Sequence, residues 1–208
     1  MPALMDTGGT AKPRMVVGIS GASGAIYGVR LLQLLRIANV ETHLVISRAA
    51  MMTISQETAM SVGDVHALAD FHYASADIGA AISSGSFRTL GMVIAPCSIK
   101  TLSEVATGVT SGLLSRAADV VLKERRRLVM MVRETPLHLG HLRSMVAVTE
   151  AGAIVYPPVP AFYARPESLA DMVDHSVGRV LDLFGIETDV VRRWGPDRDA
   201  GGFVDRQP

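Results

Sequence analysis

Hydrophobic positions along the chain fall into short continuous runs, separated by longer stretches in which apolar residues recur at helical spacing. Four runs have the length and composition of buried parallel strands and end at small, polar or charged residues: 15–19, 42–46, 91–95 and 128–132. A shorter run lies at 153–155. Helical spacing covers 26–35, a stretch after Ser47, 98–105, 113–124, a stretch from about Pro136, and 166–184. This alternation predicts an α/β fold, a three-layer αβα sandwich around a mainly parallel, Rossmann-like sheet.

The composition is that of one globular unit. Of 208 residues, 49% are hydrophobic and 19% charged, which suffices for a substantial core and excludes disorder of the whole chain. We expect a single domain over 15–195 between a flexible leader, 1–14, and a flexible tail, 196–208, because Gly and Pro punctuate both ends without periodicity. No apolar run reaches the roughly 18 residues of a membrane span, and no signal-peptide pattern is found, so we predict a cytoplasmic protein without membrane contact.

Charge and cysteine content narrow the function classes further. Lys plus Arg and Asp plus Glu number 20 each, so the basic excess of a non-specific nucleic-acid binder is missing. The single cysteine excludes an internal disulfide framework and a cysteine-based zinc cluster, and it fits a reducing compartment. A mean hydropathy of +0.30 with no net charge predicts that part of the surface is buried between subunits.

Ligands of parallel sheets bind beyond the carboxyl ends of the strands, so the residues directly after each run carry the most information. The first run is followed by Ser20-Gly21-Ala22-Ser23-Gly24, whose small residues let backbone N–H groups approach an anion, although a tight turn alone would also need glycine. Its spacing matches neither GxGxxG nor the P-loop. Ser47 follows the second run where a dinucleotide enzyme commonly has an acidic residue, which weakens an NAD hypothesis and is equally typical of a helix cap. Glu57, in the next helix, is by itself typical of a solvated surface.

Two further runs end in polar groups. The third is followed by 96–101, Pro-Cys-Ser-Ile-Lys-Thr, which brings hydroxyls and N–H groups to a helix start. Cys97 within it is more typical of a buried residue than of a nucleophile. Arg133-Glu134 follows the fourth run. The arginine suits a phosphate and the glutamate suits proton transfer, with a structural ion pair as the alternative.

Four more side chains are candidate anion ligands. Arg116 and Lys123 share a helix face, which indicates a solvated, ion-paired surface unless that face meets the ligand crevice or a neighbouring subunit. Tyr163 and Arg179 are good anion ligands in chemistry, and ordinary surface residues otherwise.

A metal site is not expected. Glu134, His138 and His141 have the spacing of a metal-binding helix face, but Pro136 is typical of a helix start and leaves Glu134 outside that helix. Two histidines alone make a poor site, so we predict no bound metal.

Taken together, the strand-end motifs resemble those of the UbiX-like flavin prenyltransferases. The motifs in question are Gly21-Ala-Ser-Gly24, Ala95-Pro-Cys-Ser98, Arg116-Ala-Ala-Asp119, Leu122-Lys-Glu124, Arg133-Glu134, Phe162-Tyr163 and Arg192-Arg-Trp-Gly195. The segment 77–89 resembles the branch whose members accompany aromatic (hydroxyarylic) acid decarboxylases as a separate subunit. The resemblance implies a fold of the flavoprotein type and an enzyme that joins a dimethylallyl group, from dimethylallyl phosphate, to N5 and C6 of reduced FMN.

The resemblance also assigns roles to residues of this chain. Nine residues would hold FMN: Gly21, Ala22, Ser23, Ser47, Ser98, Ile99, Lys100, Thr101 and Arg133. Four would hold the phosphate of the prenyl donor: Arg116, Lys123, Tyr163 and Arg179. The implied catalytic residues are Glu134, Ser23, Lys123 and Glu57. Glu134 is the expected base for the C6 proton with Ser23 assisting, Lys123 stabilises the leaving phosphate, and Glu57 reaches a neighbouring subunit's site.

Partners and alternatives follow from the same resemblance. Prenylated FMN would pass to a UbiD-type decarboxylase, and the chain would assemble into a homo-oligomer, commonly a dodecamer. Many members carry Trp in the segment matching 77–82, which has no aromatic residue here, and this departure bears on prenyl transfer more than on flavin binding. Two other functions stay open: a non-catalytic flavin-binding accessory subunit of an aromatic acid decarboxylase, and a flavin-dependent cysteine decarboxylase, which would commonly show Pro-Ala-Ser-Ala-Asn-Thr at 96–101.

Overall fold

A single six-stranded sheet, parallel at every pairing, organises the residues that the computed structural model describes, 12–193. Its strands are β1 (Arg14–Ile19), β2 (Glu41–Ile46), β3 (Phe71–Tyr73), β4 (Gly91–Cys97), β5 (Arg127–Val132) and β6 (Ile154–Val155). Their order across the sheet is β3-β2-β1-β4-β5-β6. The predicted Rossmann-like sheet is confirmed.

Seven helices connect the strands within the described range. They are α1 (Ala25–Ile37), α2 (Arg48–Glu57), α3 (Val62–His66), α4 (Ile99–Thr107), α5 (Leu113–Lys123), α6 (Leu139–Glu150) and α7 (Leu169–Asp182). Two 3₁₀ turns accompany them, Ala81–Ser83 and Phe162–Ala164. None of the helices among the described residues has the length and apolar character needed to span a membrane.

The core is divided by the sheet into two layers, as a three-layer sandwich requires. Met15, Val17 and Ile19 of β1 face the layer formed by α1, α2, α3 and α7. Val16 faces the opposite layer, which contains α4, α5 and α6. Because both faces of β1, β4 and β5 are buried, most side chains of these strands are apolar, and this explains their continuous runs in the sequence.

Several predicted boundaries are corrected by the structure. The helix expected from about Pro136 begins at Leu139, because the His138 Nδ1 accepts the N–H of Gly140 at 3.0 Å and caps the helix there. The helix expected over 166–184 begins at Leu169, where Ser168 and Asp171 form a capping box, and ends at Asp182. Helix α3 and strand β3 were not predicted, since three to five residues are too few for a periodic signal.

Some predictions fall outside the described residues. They concern the leader up to residue 11, the tail 196–208, and the last two residues of the Arg192-Arg-Trp-Gly195 motif. Arg14, which we expected in the leader, is the first residue of β1.

Candidate active site

The direction of the chain across the sheet reverses between β1 and β4, and the loops after these strands meet there. The Ser20 hydroxyl donates to the carbonyl of Pro96 at 2.9 Å and accepts the N–H of Ser98 at 2.7 Å. The N–H of Arg133, after β5, donates to the carbonyl of Cys97 at 3.1 Å. Three strand ends are thus joined at the topological switch point, which is where open α/β sheets bind ligands. Ser20 was not among the predicted site residues, because a serine in a glycine-rich turn gives no sequence signal of a contact 76 residues away.

The loop after β1 lies close against α2. A Cβ atom at Gly21 would lie 2.3 Å from the Cβ of Ala49, so only glycine permits this approach. Gly24 has φ of 103°, in the left-handed region that favours glycine. The predicted loop of Gly21, Ala22 and Ser23 is therefore held at the mouth of the switch point by its own glycines.

Glu57, at the end of α2, contacts the loop after β1, a contact that the sequence did not predict. Its Oε2 accepts the N–H groups of Gly24 at 2.7 Å and Ala25 at 3.0 Å, which are the first amides of α1. Partial burial opposes ionisation, but these bonds, a hydrogen bond from Ser23 and the charge of Arg133 outweigh it and lower the pKa of Glu57. In the structure the Glu57 carboxylate therefore binds the N-terminus of a helix of its own chain. That it reaches a neighbouring subunit's site stays a prediction.

Helices α2 and α4 point their N-termini toward the same edge of the sheet. The Ser47 hydroxyl accepts the N–H of Ala50 at 3.2 Å, and the Ser98 hydroxyl accepts that of Thr101 at 3.3 Å. Both serines are thus helix caps, and the other amides of each first turn stay available to an anion. Lys100 is largely exposed and forms an ion pair of 2.9 Å with Glu104.

Arg133 and Glu134 lie exposed just beyond β5. No ion pair joins them among the described contacts, and the Glu134 carboxylate accepts the N–H of Thr135 at 3.0 Å. The charge of Arg133 lowers the pKa of Glu57 and opposes the burial that raises the pKa of Tyr27. The charge of Arg133 therefore acts on one group of α2 and one of α1, both beside the loop after β1.

Cys97 is wholly buried at the end of β4. Burial strongly raises the pKa of its thiol, so the thiolate needed for nucleophilic attack is disfavoured. The structure supports the interpretation of Cys97 as a core residue.

Tyr163 and Arg179 belong to a second polar cluster beside α7. The Tyr163 hydroxyl lies 3.3 Å from Nε2 of His175, which is one helical turn before Arg179. Burial raises the pKa of Tyr156, the charge of Arg179 opposes that rise, and Tyr163 and Tyr27 add to it. Tyr27 also lies within the field of Arg133. The charges of Arg179 and Arg133 thus act on two tyrosines, Tyr156 and Tyr27, that the sequence did not single out.

Lys123 lies at the opposite end of β5 from Arg133 and Glu134 within one chain. It ends α5, just before β5 begins, whereas Arg133 and Glu134 follow the end of β5. The strand has six residues and spans about 20 Å. Lys123 instead lies against the 84–87 segment, where a Cβ at Gly85 would approach its Nζ to 2.8 Å, and it pairs with Glu124. Arg116, on the same helix, pairs with Asp119 at 2.7 Å.

A metal centre is not formed by the acidic and histidine side chains of residues 12–193, where no three of them converge. The rings of His138 and His141 are tilted by 33° with centroids 3.6 Å apart, and His138 caps α6.

Three features define a nucleotide-binding protein of the Rossmann-like class. They are the order of the strands, the N-termini of α2 and α4 at the switch point, and Arg133 beyond β5. Residues 6–181 match the Flavoprotein family. The flavin prenyltransferase UbiX of Escherichia coli K12 is 63% identical over 184 residues, which cover 87% of this chain and 97% of that protein. A probable UbiX-like flavin prenyltransferase of Bacillus subtilis is 53% identical, covering 97% and 100%. The chain belongs to the UbiX family of flavin prenyltransferases.

Solved structures agree with this assignment. The crystal structure of AnUbiX (PadA1) in complex with FMN and dimethylallyl pyrophosphate is 51% identical, has a TM-score of 0.88, and is matched over 89% of this chain and 99% of that one. A dodecameric FMN-dependent UbiX-like decarboxylase from Escherichia coli O157:H7 is 54% identical with a TM-score of 0.86, over 88% and 100%. The FMN-dependent cysteine decarboxylase TvaF shares the fold alone, at 14% identity and a TM-score of 0.57.

Proposed function

We propose that this chain is a flavin prenyltransferase that joins the dimethylallyl group of dimethylallyl phosphate to N5 and C6 of reduced FMN. The observation that carries the proposal is the presence of two regions of anion-binding donors among the described residues. One consists of the N-termini of α2 and α4 with Arg133, and the other is the Tyr163–Arg179 cluster. A flavin nucleotide and a prenyl phosphate are two anions that must react with each other, so such a pair of regions suits both substrates.

In this proposal the FMN side of the site would be formed by nine residues: Gly21, Ala22, Ser23, Ser47, Ser98, Ile99, Lys100, Thr101 and Arg133. The α1 amides are taken by Glu57, so the FMN phosphate would bind at the free amides of α2 or α4. The loop after β1 consists of small residues, Gly21-Ala22-Ser23-Gly24, beside which a flat flavin ring would pack. The donor set therefore fits a phosphate with an attached planar ring.

The prenyl phosphate would be held by Tyr163 and Arg179 of one chain together with Lys123 and Arg116 of a neighbouring chain. The distance of Lys123 from Glu134 within one chain supports this arrangement, since one subunit alone cannot present both to one substrate. The dodecameric assembly of a 54% identical relative supplies a precedent for close subunit contacts. We extend the proposal to a homo-oligomer, with the dodecamer as its expected size.

Donor hydroxyl, guanidinium and ammonium groups around the phosphate would stabilise its negative charge as the allylic C–O bond breaks. That carbon would bond to N5 as phosphate leaves and N5 loses its proton. Closure of the second ring onto C6 would consume the prenyl double bond: one alkene carbon bonds to C6, the other gains a proton, and C6 loses its own proton. The exposed Glu134 carboxylate is the proposed base, and Ser23, on the loop after β1, would assist it. Its hydrogen bond from the N–H of Thr135 occupies one oxygen and leaves acceptor capacity for that proton.

The product would serve a UbiD-type decarboxylase, and the lone buried cysteine suits the reducing cytoplasm in which we place the protein. A non-catalytic accessory role would need flavin binding but no base. The function of Glu134 therefore separates an enzyme from an accessory subunit.

The test is anaerobic incubation of the purified protein with reduced FMN and either dimethylallyl phosphate or the diphosphate, followed by mass spectrometry of the flavin. We expect a mass gain of one five-carbon unit with the wild type and with Glu150→Gln, a control at an exposed position at the end of α6. Glu134→Gln should bind FMN and form little ring-closed product. Bound FMN without mass gain in the wild type, with either donor, would rule out the prenyltransferase and favour the accessory role.

A further inference from the structure

Two arginines near the end of the described chain contact the residues next to Tyr163 and Arg179. Arg192 and Arg193 are the last two residues of a short segment without helix or strand, 188–193, which we name the strap. The Nη1 of Arg192 donates to the carbonyl of Ala164 at 2.8 Å. Ala164 directly follows Tyr163 in the 3₁₀ turn, so this bond fixes the turn that carries the tyrosine.

Arg193 acts on the second phosphate ligand through a shared carboxylate. Its Nη1 and Nη2 donate to the two oxygens of Asp182 at 3.1 and 2.8 Å. Asp182 also accepts from Nη1 of Arg179 at 2.7 Å. Two guanidinium groups thus share one carboxylate, and the group of three keeps a net positive charge. Without Arg193, Asp182 and Arg179 would form a neutral pair, which attracts an anion less strongly.

The strap is itself fixed to α7 between these two contacts. A Cβ atom at Gly178 would lie 2.4 Å from Cγ2 of Val191 and 2.9 Å from Cγ2 of Val190, so the strap approaches the helix as closely as glycine permits. Gly178 lies between His175, which contacts Tyr163, and Arg179. The strap therefore keeps a defined position relative to both phosphate ligands.

We propose that Arg192 and Arg193 are positioning residues for the prenyl phosphate: Arg192 holds the turn that presents Tyr163, and Arg193 holds Asp182 so that Arg179 keeps its orientation and net charge. This rests on the proposed function, because it concerns the same phosphate subsite. Neither arginine needs to touch the substrate. The strap packs on α7 and not on the loops that form the flavin side of the site, so FMN binding should not depend on it.

The experiment compares Arg192→Ala, Arg193→Ala and Arg192→Lys with the wild type and a matched control. The control is Arg36→Ala. Arg36 is also exposed and also donates to a backbone carbonyl, that of Ala67, but it lies in the last turn of α1. For each protein, KM for dimethylallyl phosphate, kcat and the Kd for FMN are measured, and thermal unfolding confirms folding. Hydrogen exchange of the amides in 161–166 reports on the turn without any turnover.

Both alanine variants should raise KM about tenfold, the effect of losing one hydrogen bond to a charged group. The Kd for FMN should stay within about twofold, and Arg192→Lys should restore most of the affinity because lysine still donates to a carbonyl. Exchange in 161–166 should rise several-fold in Arg192→Ala and stay unchanged in Arg36→Ala.

Unchanged KM and unchanged exchange, or equal losses in KM and in FMN affinity, would overturn the role of the strap. If the wild type transfers no prenyl group, the proposed function fails separately. The strap is then judged by the hydrogen exchange and by binding of inorganic phosphate in calorimetry. Unchanged exchange and unchanged phosphate affinity in both alanine variants would still refute it.

Discussion

The carboxylate of Glu57 and the backbone N–H of Gly24 form a hydrogen bond of 2.7 Å across 33 residues of sequence. The same oxygen accepts the N–H of Ala25, so a side chain from the end of α2 occupies the N-terminus of α1. Unpaired amides at a helix N-terminus attract anions, and here the protein supplies its own. The first helix is consequently closed to the FMN phosphate, which directs our proposal to α2 and α4.

Glu57→Gln should lower the free energy of unfolding by about 1 kcal/mol at neutral pH, because the amide caps the helix without charge. The folded pKa of Glu57 is depressed, so its stabilisation is present above the ordinary glutamate pKa and is lost as the pH falls through the folded pKa. The difference between wild type and variant should therefore shrink in acid. Urea unfolding at neutral pH and at a pH below the glutamate range measures this. Glu150→Gln is the control, and an equal difference at both pH values would contradict the prediction.

Mixed oligomers test whether Lys123 serves a neighbouring chain. Lys123→Ala and Glu134→Gln should each be nearly inactive alone. In oligomers co-assembled at equal ratio, about one quarter of the sites should combine an intact Lys123 with an intact Glu134 if two chains form each site. Sites formed within one chain would yield none, since every chain carries one defect. Prenylation by co-expressed, doubly tagged oligomers decides between a recovery near one quarter and no recovery.

Ser20→Ala should lower the free energy of unfolding by about 1–3 kcal/mol, because the N–H of Ser98 loses its buried acceptor. It should also weaken FMN binding, since the loops after β1 and β4 lose the hydroxyl that joins them. Unfolding in urea and flavin titration measure the two effects. Ser55→Ala is matched to it, as the Ser55 hydroxyl donates to a carbonyl of its own exposed helix. Equal behaviour of the two variants would argue against the bridging role.

Gly28→Ala should destabilise the protein by about 1–3 kcal/mol through overpacking. A Cβ there would lie 2.4 Å from the carbonyl oxygen of Ala95 and 2.8 Å from Cδ1 of Ile19, where α1 crosses the sheet. At Gly63, in α3, the nearest atom to a new Cβ is 3.5 Å away, so Gly63→Ala should be neutral or slightly stabilising. Thermal denaturation of both variants and of the wild type measures the two effects. A Gly28→Ala protein as stable as Gly63→Ala would refute the packing argument.

The strongest sequence predictions concern the central strands. The runs at β1, β4 and β5 are continuous because both faces of these strands are buried, and this periodicity is local information. The loops after them were identified for the same reason, since parallel strands place their carboxyl ends at one edge. Strand β3 was not predicted because it has three residues at the edge of the sheet, and its Phe71 is half exposed.

The sequence by itself determined the layered parallel sheet, the position of the ligand edge, and the types of side chain that reach it, because each follows from spacing within a few residues. Only the tertiary structure decided that Glu57 closes α1 and that Ser20 joins two loops. It also decided that Arg192 donates to the carbonyl of Ala164 and that Arg193 shares the Asp182 carboxylate with Arg179. These contacts join residues far apart in the chain, and their partners depend on how the helices cross the sheet, which no local pattern of residues encodes.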